Sequence, residues 1–283
     1  MPVRLDVIVA SRFALDGGAM FGVVPRPLWE RRHPPDSAGR IRLASRALLM
    51  RFEETGRIAV IDAGLGGLWD AREKERLGIE SEEDGLVRTL GALGVNPEDV
   101  TDAVITHLHF DHAGGWVRRD SAGRLRPVFP RAIHHVQREH WEWAMRPAAR
   151  DRASFLARSI LPLEEAGVLK LADGSGEILP GLEVRVSKGH TLAMQVPVFR
   201  GRSGTVAFPS DLLPTTAHAG EAWGMAYDLR PLDVAAEKAA LFATASQEGW
   251  ILVLEHDPSH EACTVAVSGE WFALSPCACP AEL

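Results

Sequence analysis

The chain has 283 residues, of which 46% are hydrophobic and 24% are charged, and this composition is that of a globular protein with a sizeable core. Its formal net charge of −7 disfavours nucleic acid as a partner, because phosphate binding needs a basic surface. No run approaches the roughly 18 apolar residues of a membrane span, and no N-terminal stretch has the pattern of a secretion signal, so we expect a cytoplasmic location.

Apolar runs separated by turn residues predict strands at the start of the chain. Strands are predicted over 3–10 and 41–61, the second interrupted by a hairpin at Glu53-Glu54-Thr55-Gly56. Between them, the stretch from Gly17 to Gly39 is rich in Gly and Pro, which predicts a long loop without regular structure.

Strands and helices alternate through the rest of the chain. Leucines at helical spacing before Gly94 predict a helix, which Ser81-x-x-Asp84 opens in the form of a capping box. The strands predicted beyond it cover 132–137, 168–172, 182–187, 195–208 and 250–255, and the helices cover 138–146, 151–161 and 232–247. Strand clusters followed by helices predict an α/β protein with helix-covered sheets. Because neither a linker nor a repeat is visible, we expect a single domain over residues 1–283.

The densest chemistry stands in the run Val104-Ile105-Thr106-His107-Leu108-His109-Phe110-Asp111-His112-Ala113-Gly114-Gly115. An apolar strand ends there, and four metal-capable side chains follow within six residues. Imidazole and carboxylate together suit zinc, manganese or iron. A His-rich surface loop is the alternative, and these residue types at this spacing favour a metal site over it. The two glycines are expected to let the chain turn tightly into the next helix.

Three further ligand candidates lie far along the chain. His190, Asp211 and His256 each follow an apolar run with the length and composition of a buried strand. Ligands at strand ends point to one rim of a sheet, where loops gather them. The sequence therefore predicts a metal site built from distant segments.

The order His-x-His-x-Asp-His, then a lone His, a lone Asp and a last His, resembles the metallo-β-lactamase fold superfamily, and within it the lactonases and organophosphate hydrolases. The resemblance implies an α/β fold arranged as a four-layer αββα sandwich. It also implies two divalent metal ions, with zinc expected before manganese or iron. One departure is visible: many relatives read Thr-Pro-Gly-His-Thr-Pro-Gly-His around the third ligand, and Met194 stands here in place of the second His.

The resemblance assigns seven ligands. The first metal would be held by His107, His109 and His190, the second by Asp111, His112 and His256, and both by a bridging Asp211. Asp62, in Ile58-Ala59-Val60-Ile61-Asp62-Ala63-Gly64, resembles the family's Asp that orients a ligand histidine from outside the metal shell. A capping or turn Asp is the alternative interpretation of Asp62.

Catalytic and pocket residues are also predicted. Asp111 would orient a metal-bridging hydroxide and then carry a proton to the leaving group. Tyr227 is the only Tyr, and the resemblance implies that it would polarise the substrate carbonyl, as a Tyr of related lactonases does. In those relatives the Tyr follows the bridging Asp at a shorter distance in the sequence. A packing role is the alternative. An apolar acyl pocket would be lined by Met20, Phe21, Phe110, Trp116 and Trp223, for each of which a packing role is the alternative. His218 could also reach the substrate, and a surface position is the alternative for it.

We therefore expect a dinuclear-metal hydrolase of a small ester, a lactone such as an acyl-homoserine lactone, or a phosphotriester. A glyoxalase II-like thioesterase shares the ligand set, a mono-iron persulfide dioxygenase uses three of the ligands, and a non-catalytic metal-binding module is an alternative of another class.

The expected partner is a small-molecule substrate, neither nucleic acid nor a membrane, and a homodimer is among the assemblies left open. The natural substrate, the metal used in the cell and the role of Cys277 and Cys279, expected as free thiols, are left open too.

Overall fold

A computed structural model describes residues 2–80, 84–269 and 271–283 of the chain. The strands, in chain order, are β1 (Val3–Asp16), β2 (Arg40–Phe52), β3 (Arg57–Ile61), β4 (Asp102–Val104), β5 (Val117–Arg119), β6 (Leu125–Pro127), β7 (Ile133–Gln137), β8 (Leu169–Ala172), β9 (Gly176–Leu179), β10 (Leu182–Ser187), β11 (Met194–Arg200), β12 (Thr205–Ala207), β13 (Ile251–Val253), β14 (Ala262–Ser268) and β15 (Trp271–Cys277). The α-helices are α1 (Gly17–Phe21), α2 (Arg26–Trp29), α3 (Ala71–Arg76), α4 (Gly85–Ala92), α5 (Phe110–Ala113), α6 (Arg138–Met145), α7 (Ala157–Glu165) and α8 (Pro231–Glu248).

A six-stranded sheet contains the strand that leads into the His cluster. Its strand order is β1-β2-β3-β4-β7-β8, with β3, β4, β7 and β8 parallel to one another. Apolar side chains of these strands pack with those of α4, α6 and α7 in one core cluster, which includes Leu49, Val60, Leu90, Trp141 and Leu163. The strand β4 is therefore packed into this core, and the loop with the predicted ligands begins at its carboxyl end.

A seven-stranded sheet contains the other three predicted ligand segments. Its order is β15-β14-β13-β12-β11-β10-β9, and β12 pairs in parallel with β13 while the other pairs are antiparallel. The long helix α8 packs on this sheet through Val234, Leu241, Phe242 and Ala245. Because β12 and β13 are parallel neighbours, their carboxyl ends bring Asp211 and His256 to the same edge.

The chain folds as two units that are each discontinuous in sequence. The first comprises Met1–Arg12, Ser45–Gly174 and Glu282, and the second comprises Phe13–Ala44, Ser175–Ala281 and Leu283. The chain passes from one unit to the other within β1 and again at the Ala44–Ser45 bond of β2. The expectation of a single domain over residues 1–283 stays a prediction.

Most predicted elements are confirmed to within a few residues, and the hairpin between β2 and β3 lies where the sequence places it. The prediction that the 17–39 stretch lacks regular structure is wrong, because α1 and α2 form there. Their buried Phe21 and Trp29 stack with ring centroids 5.4 Å apart, so local aromatic packing stabilises short helices despite the glycines and prolines. Ser81, the first residue of the predicted capping box, lies outside the described residues.

Two further predictions are wrong in position. The strand predicted over 195–208 is two antiparallel strands, β11 and β12, separated by residues 201–204. The helix predicted over 151–161 begins later, as α7 at Ala157, after a single 3₁₀ turn over Arg152–Ser154. The strand predicted over 250–255 is confirmed as β13, but the antiparallel hairpin of β14 and β15 that follows it is not predicted from the sequence. Of the helices that the structure describes, none combines the length and the apolar character that crossing a membrane requires. All three cysteines carry free thiols.

A buried ion cluster ties β3, β4 and β7 together. Asp102 is fully buried, and it accepts hydrogen bonds from Arg57 Nη2 at 2.6 Å, from Thr101 Oγ1 at 2.7 Å and from His135 Nε2 at 2.8 Å. Burial raises the pKa of the Asp102 carboxyl, but the hydrogen bonds from His135, Arg57 and Thr101 outweigh burial and hold the pKa below its usual value. The charged form of Asp102 therefore stabilises the folded state.

We expect Asp102→Asn to lower the free energy of unfolding by about 1–3 kcal/mol at neutral pH, since a neutral amide cannot accept all the hydrogen bonds that the buried carboxylate receives from Arg57, Thr101 and His135. A depressed folded-state pKa contributes stability above the unfolded-state pKa of about 3.9, and that stability is lost as the pH falls through the folded value. The gap between wild type and variant in urea unfolding should therefore close below about pH 4. Asp173→Asn, at an exposed ion pair with Arg138, is the matched control and should have little effect. An equal loss from both variants would contradict the prediction.

Candidate metal centre

In the first unit, four of the predicted ligands stand on the loop and short helix that follow β4. His107, His109, Asp111 and His112 are all buried, although each is a polar residue. His107 Nε2 lies 3.1 Å from His109 Nδ1, and His112 Nε2 lies 3.8 Å from Asp111 Oδ1. The four predicted ligands therefore form two pairs, His107 with His109 and Asp111 with His112.

Asp62 occupies the position predicted for a residue that orients a ligand. It is fully buried, its Oδ1 accepts from the Thr106 backbone N–H at 2.8 Å, and its Oδ2 accepts from the Thr106 hydroxyl at 2.6 Å. His112 Nδ1 lies 3.0 Å from the same Oδ2, so it donates its proton there and leaves Nε2 with a lone pair. Asp62 has a φ of 53°, a conformation that non-glycine residues rarely adopt and that recurs at functional positions.

His107 is held in the same way. Because the Thr106 hydroxyl gives its one proton to Asp62, it can only accept from His107 Nδ1, which lies 3.1 Å away. His107 Nε2 then carries a lone pair toward His109 Nδ1. The 3.1 Å between these nitrogens is close to the roughly 3.4 Å expected of two nitrogens on one tetrahedral zinc. The first unit therefore presents two imidazole nitrogens at a spacing that suits a shared cation.

Two features around this loop differ from the prediction or were missed by it. Gly114 has an ordinary helical φ of −60°, so a tight turn is not what requires glycine here. A Cβ on Gly114 or Gly115 would overlap the backbone oxygens of Leu65 and Ala63, so close packing of two backbones is the reason. His140, which the sequence analysis does not single out, is fully buried, and its Nε2 accepts a 2.8 Å hydrogen bond from the Leu108 N–H between the two ligand histidines.

In the second unit, Asp211 lies between the other two ligand histidines. Its Oδ2 is 3.1 Å from His190 Nε2, and its Oδ1 is 3.0 Å from His256 Nε2. All three side chains are buried. Each oxygen of one carboxylate thus faces a different imidazole. Ser210, directly before Asp211, has a φ of 51°, so the backbone is strained where it presents this carboxylate.

The far nitrogens of both histidines are anchored as well. His190 Nδ1 is 2.9 Å from Asp228 Oδ1, and His256 Nδ1 is 2.8 Å from the carbonyl oxygen of Ala44. Since carboxylate and carbonyl oxygens only accept, both Nδ1 atoms carry the proton, and this leaves each Nε2 as the coordinating atom. Burial lowers the pKa of His190, but Asp211 and Asp228 outweigh burial and raise it to about 10, so this site favours positive charge.

These donor sets fit divalent metal ions. Four of the five ligand histidines have Nδ1 bound to an acceptor, and their Nε2 atoms face other predicted ligands, as metal-binding imidazoles require. Imidazole nitrogens and carboxylate oxygens are the donors that zinc, manganese and iron take. Within each unit, hydrogen bonds thus fix the imidazoles of residues that would hold the metals.

Several predicted pocket residues come together in the second unit. Phe21 stacks on His218 with ring centroids 4.8 Å apart and contacts Trp223 edge-on at 5.7 Å. His218 is fully buried, which contradicts the surface position considered for it. Its Nε2 donates to the Met20 carbonyl at 2.8 Å, and its Nδ1 lies 2.8 Å from Thr215 Oγ1. Burial lowers the pKa of His218 to about 3, so this side chain is a neutral part of an aromatic cluster.

The other predicted pocket residues lie elsewhere. Phe110, half-buried in the first unit, packs edge-on against Trp69 at 5.6 Å. Trp116 is fully buried in the core of that unit, against Phe129 and His134, so its position favours packing over the predicted pocket role. Tyr227 is half-buried and directly precedes Asp228 in the second unit. A catalytic role for Tyr227 stays a prediction.

Comparison with known proteins decides the family. A family model described as the metallo-beta-lactamase superfamily matches residues 41–256, which is most of the chain. The chain belongs to the metallo-beta-lactamase superfamily. Its predicted metallo-β-lactamase-like α/β fold class is thereby confirmed. As a member of the superfamily, it superposes on a probable metal-dependent hydrolase from Staphylococcus aureus with a TM-score of 0.88 and 27% identity, over 98% of both chains.

Lactonases are also similar to this metallo-beta-lactamase superfamily chain. AidC, described as a dizinc quorum-quenching lactonase, superposes with a TM-score of 0.78 over 98% of this chain and 95% of its own, and at 17% identity this likeness shows the fold alone. An N-acyl homoserine lactonase from Bacillus cereus is 33% identical over 111 residues, which are 39% of this chain. The matched part is 37% of the length of that lactonase. The relatives of the chain are therefore lactonases and metal-dependent hydrolases.

Proposed function

We propose that this chain is a two-metal hydrolase that opens small lactones or esters. The observation that carries the proposal is the position of Asp211, whose two oxygens lie 3.1 Å and 3.0 Å from the Nε2 atoms of His190 and His256. This is the arrangement expected of a carboxylate shared by two cations, one beside each histidine. Membership of a superfamily with metal-dependent hydrolases and lactonases among its similar members supports the same conclusion.

The proposed ligand set follows the family order. We assign one metal to His107, His109 and His190, the other to Asp111, His112 and His256, and both to Asp211. The separate pairing of His107 with His109 and of Asp111 with His112 supports this division. Zinc is the metal we propose, because imidazole-rich sets with few carboxylates suit it best.

The chain's own residues would then carry the reaction. Two divalent ions, when bound, lower the pKa of water toward about 7 and polarise an ester carbonyl. Asp111 accepts a proton from the attacking water and delivers it to the departing alkoxide, which balances the protons of the hydrolysis. The Tyr227 hydroxyl donates a hydrogen bond to the substrate carbonyl oxygen.

The substrate class that we propose is an N-acyl homoserine lactone or a related lactone with an apolar acyl part. The likeness to acyl homoserine lactonases supports it. An apolar pocket would favour such acyl groups by roughly 0.8 kcal/mol per buried methylene. We propose further that the protein is cytoplasmic and that it uses neither nucleic acid nor a membrane as a partner.

Metal analysis with a substrate panel tests this function. We expect about two equivalents of zinc per chain in protein purified without chelator, and loss of activity on chelation that added zinc reverses. The panel contains lactones of increasing acyl length, alkyl and aryl esters, a thioester and a phosphotriester. Preference for the thioester would favour a glyoxalase II-like enzyme, and one iron with oxygen consumption would favour a persulfide dioxygenase. A fully active, metal-free sample would contradict the proposal outright.

A further inference from the structure

The segment from Thr215 to Asp228, which we call the 215–228 loop, ends beside a proposed metal ligand. Its last residue, Asp228, is 2% exposed. One oxygen of Asp228 accepts a hydrogen bond from His190 Nδ1 at 2.9 Å, and the other accepts one from the Met225 backbone N–H at 2.8 Å. Because both oxygens are engaged, the carboxylate is fixed in position and can fix the imidazole in turn.

The backbone around His190 is tied to the same region. The N–H of Leu229 donates to the carbonyl of His190 at 3.0 Å, and the N–H of Arg230 donates to the carbonyl of Gly189 at 2.8 Å. A Cβ on Gly189 would come within 2.5 Å of the backbone nitrogen of Val234, so only glycine lets the chain approach the start of α8 so closely. Asp228 is thus held next to His190 by main-chain contacts as well.

Lys238 of α8 holds the 215–228 loop from the other side. It is 2% exposed, and its ammonium donates to the carbonyls of His218 at 2.8 Å, Gly220 at 2.8 Å and Trp223 at 2.7 Å. Burial lowers its pKa to about 8, so it still carries its charge at neutral pH. Three N–H groups meet three carbonyls, which satisfies every donor of the ammonium.

A buried cation at this position is costly and needs a reason. Lys238 lies in the apolar face of α8, together with Val234, Leu241 and Ala245, where an apolar side chain would pack without desolvating a charge. None of its three hydrogen bonds goes to a carboxylate, although the charges of Asp228 and Glu221 act on it from a longer distance. What its hydrogen bonds do is hold three points of the loop that carries Asp228.

We propose that Asp228 is a positioning residue that fixes the tautomer and direction of His190, and that Lys238 holds the loop from which Asp228 projects. With Nδ1–H directed at Asp228, His190 points Nε2 at the side of Asp211, where a bound metal would take the place of the Nε2 proton. The inference rests on the proposed function, in which His190 and Asp211 bind metal. It concerns zinc affinity first and turnover only as a consequence.

Asp228→Asn tests the first half of the proposal. A carboxylate accepts from both His190 Nδ1 and the Met225 N–H, whereas an amide has one oxygen and can accept from only one of them. We expect zinc affinity, measured by competition with a chromophoric chelator, to fall about 10–100-fold. Asp233→Asn, at an exposed carboxylate at the start of the same helix, is the matched control and should bind zinc as wild type does.

The outcomes separate this inference from the proposed function. If wild type takes up no zinc, the proposed function fails before the variant is considered. If wild type binds two equivalents and Asp228→Asn binds them with unchanged affinity, the positioning role is overturned while the hydrolase proposal stands. A selective fall in affinity, with circular dichroism and thermal unfolding close to those of wild type, supports it.

Lys238→Met tests the second half. This variant keeps roughly the length of the side chain and removes the three donors. We expect faster amide hydrogen exchange in peptides that cover the 215–228 loop. We also expect zinc affinity to fall less than it does in Asp228→Asn. Lys170→Met, at an exposed position in β8, is the control and should change neither. If Lys238→Met does not fold, Lys238→Gln replaces it; because its amide keeps two donors, we expect the same changes at a smaller size. Unchanged loop exchange in a folded variant would overturn the role of Lys238.

Discussion

Asp211→Ala should abolish the two-metal state and lower kcat/KM by more than about 100-fold. Loss of a residue that only orients a metal ligand costs up to about 100-fold, and loss of a shared ligand should cost more. The reason is electrostatic. A shared carboxylate places negative charge between two dications that repel each other strongly at close range. Without Asp211, His190 and His256 also lose the oxygens that lie 3.1 Å and 3.0 Å from their Nε2 atoms. Elemental analysis should therefore give one equivalent of metal or less.

Two variants sharpen this result. Asp211→Asn keeps the shape of the side chain but removes its charge, so we expect a loss of metal nearly as large as for Asp211→Ala. Asp233→Ala removes an exposed carboxylate from the same unit and should leave both metals and turnover in place. Two full equivalents of metal and wild-type turnover in Asp211→Ala would show that Asp211 bridges nothing.

The ligand-bearing segments could be predicted from the sequence because their signal is local. Four metal-capable side chains within six residues, directly after an apolar strand, need no tertiary information to be noticed. His190, Asp211 and His256 were found because each follows an apolar run, and strand ends are where sheets present side chains to loops. The structure places Asp211 between His190 and His256, and the parallel pairing of β12 with β13 brings Asp211 and His256 to the same sheet edge.

The residues that orient these ligands were mostly missed, because their partners are distant in sequence. Asp228 lies 38 residues after His190, and His140 lies 32 residues after Leu108. Nothing near Asp228 or His140 in the sequence indicates the partner. Lys238 did leave a signal: it stands in register with the apolar positions of α8, and a charge in an apolar stripe indicates a buried role.

The missed C-terminal hairpin has a different cause. β14 and β15 are formed by short alternating runs with many small residues, and Pro276 argues against a central strand. β15 tolerates Pro276 because it is the edge strand of its sheet. Edge strands need few apolar side chains, so hydrophobic pattern alone underestimates them. The error did not affect the metal ligands, which all precede this hairpin.

Asp111→Asn should lower kcat about 10²–10⁴-fold and leave KM within a few-fold of wild type, because an amide can occupy the position but can neither accept nor deliver a proton. Asp111 is also a proposed ligand, so the metal content of the variant has to be measured, and only a sample with both metals tests the proton transfer. The leaving group supplies the decisive comparison. An alkyl ester or lactone releases a basic alkoxide that needs the proton, whereas a nitrophenyl ester releases a stable anion that does not. The loss of kcat should therefore be larger for alkyl esters and lactones than for nitrophenyl esters, which lose only the acceptance of the proton from the attacking water. An equal loss for both, with both metals bound, would contradict proton delivery by Asp111 to the leaving group.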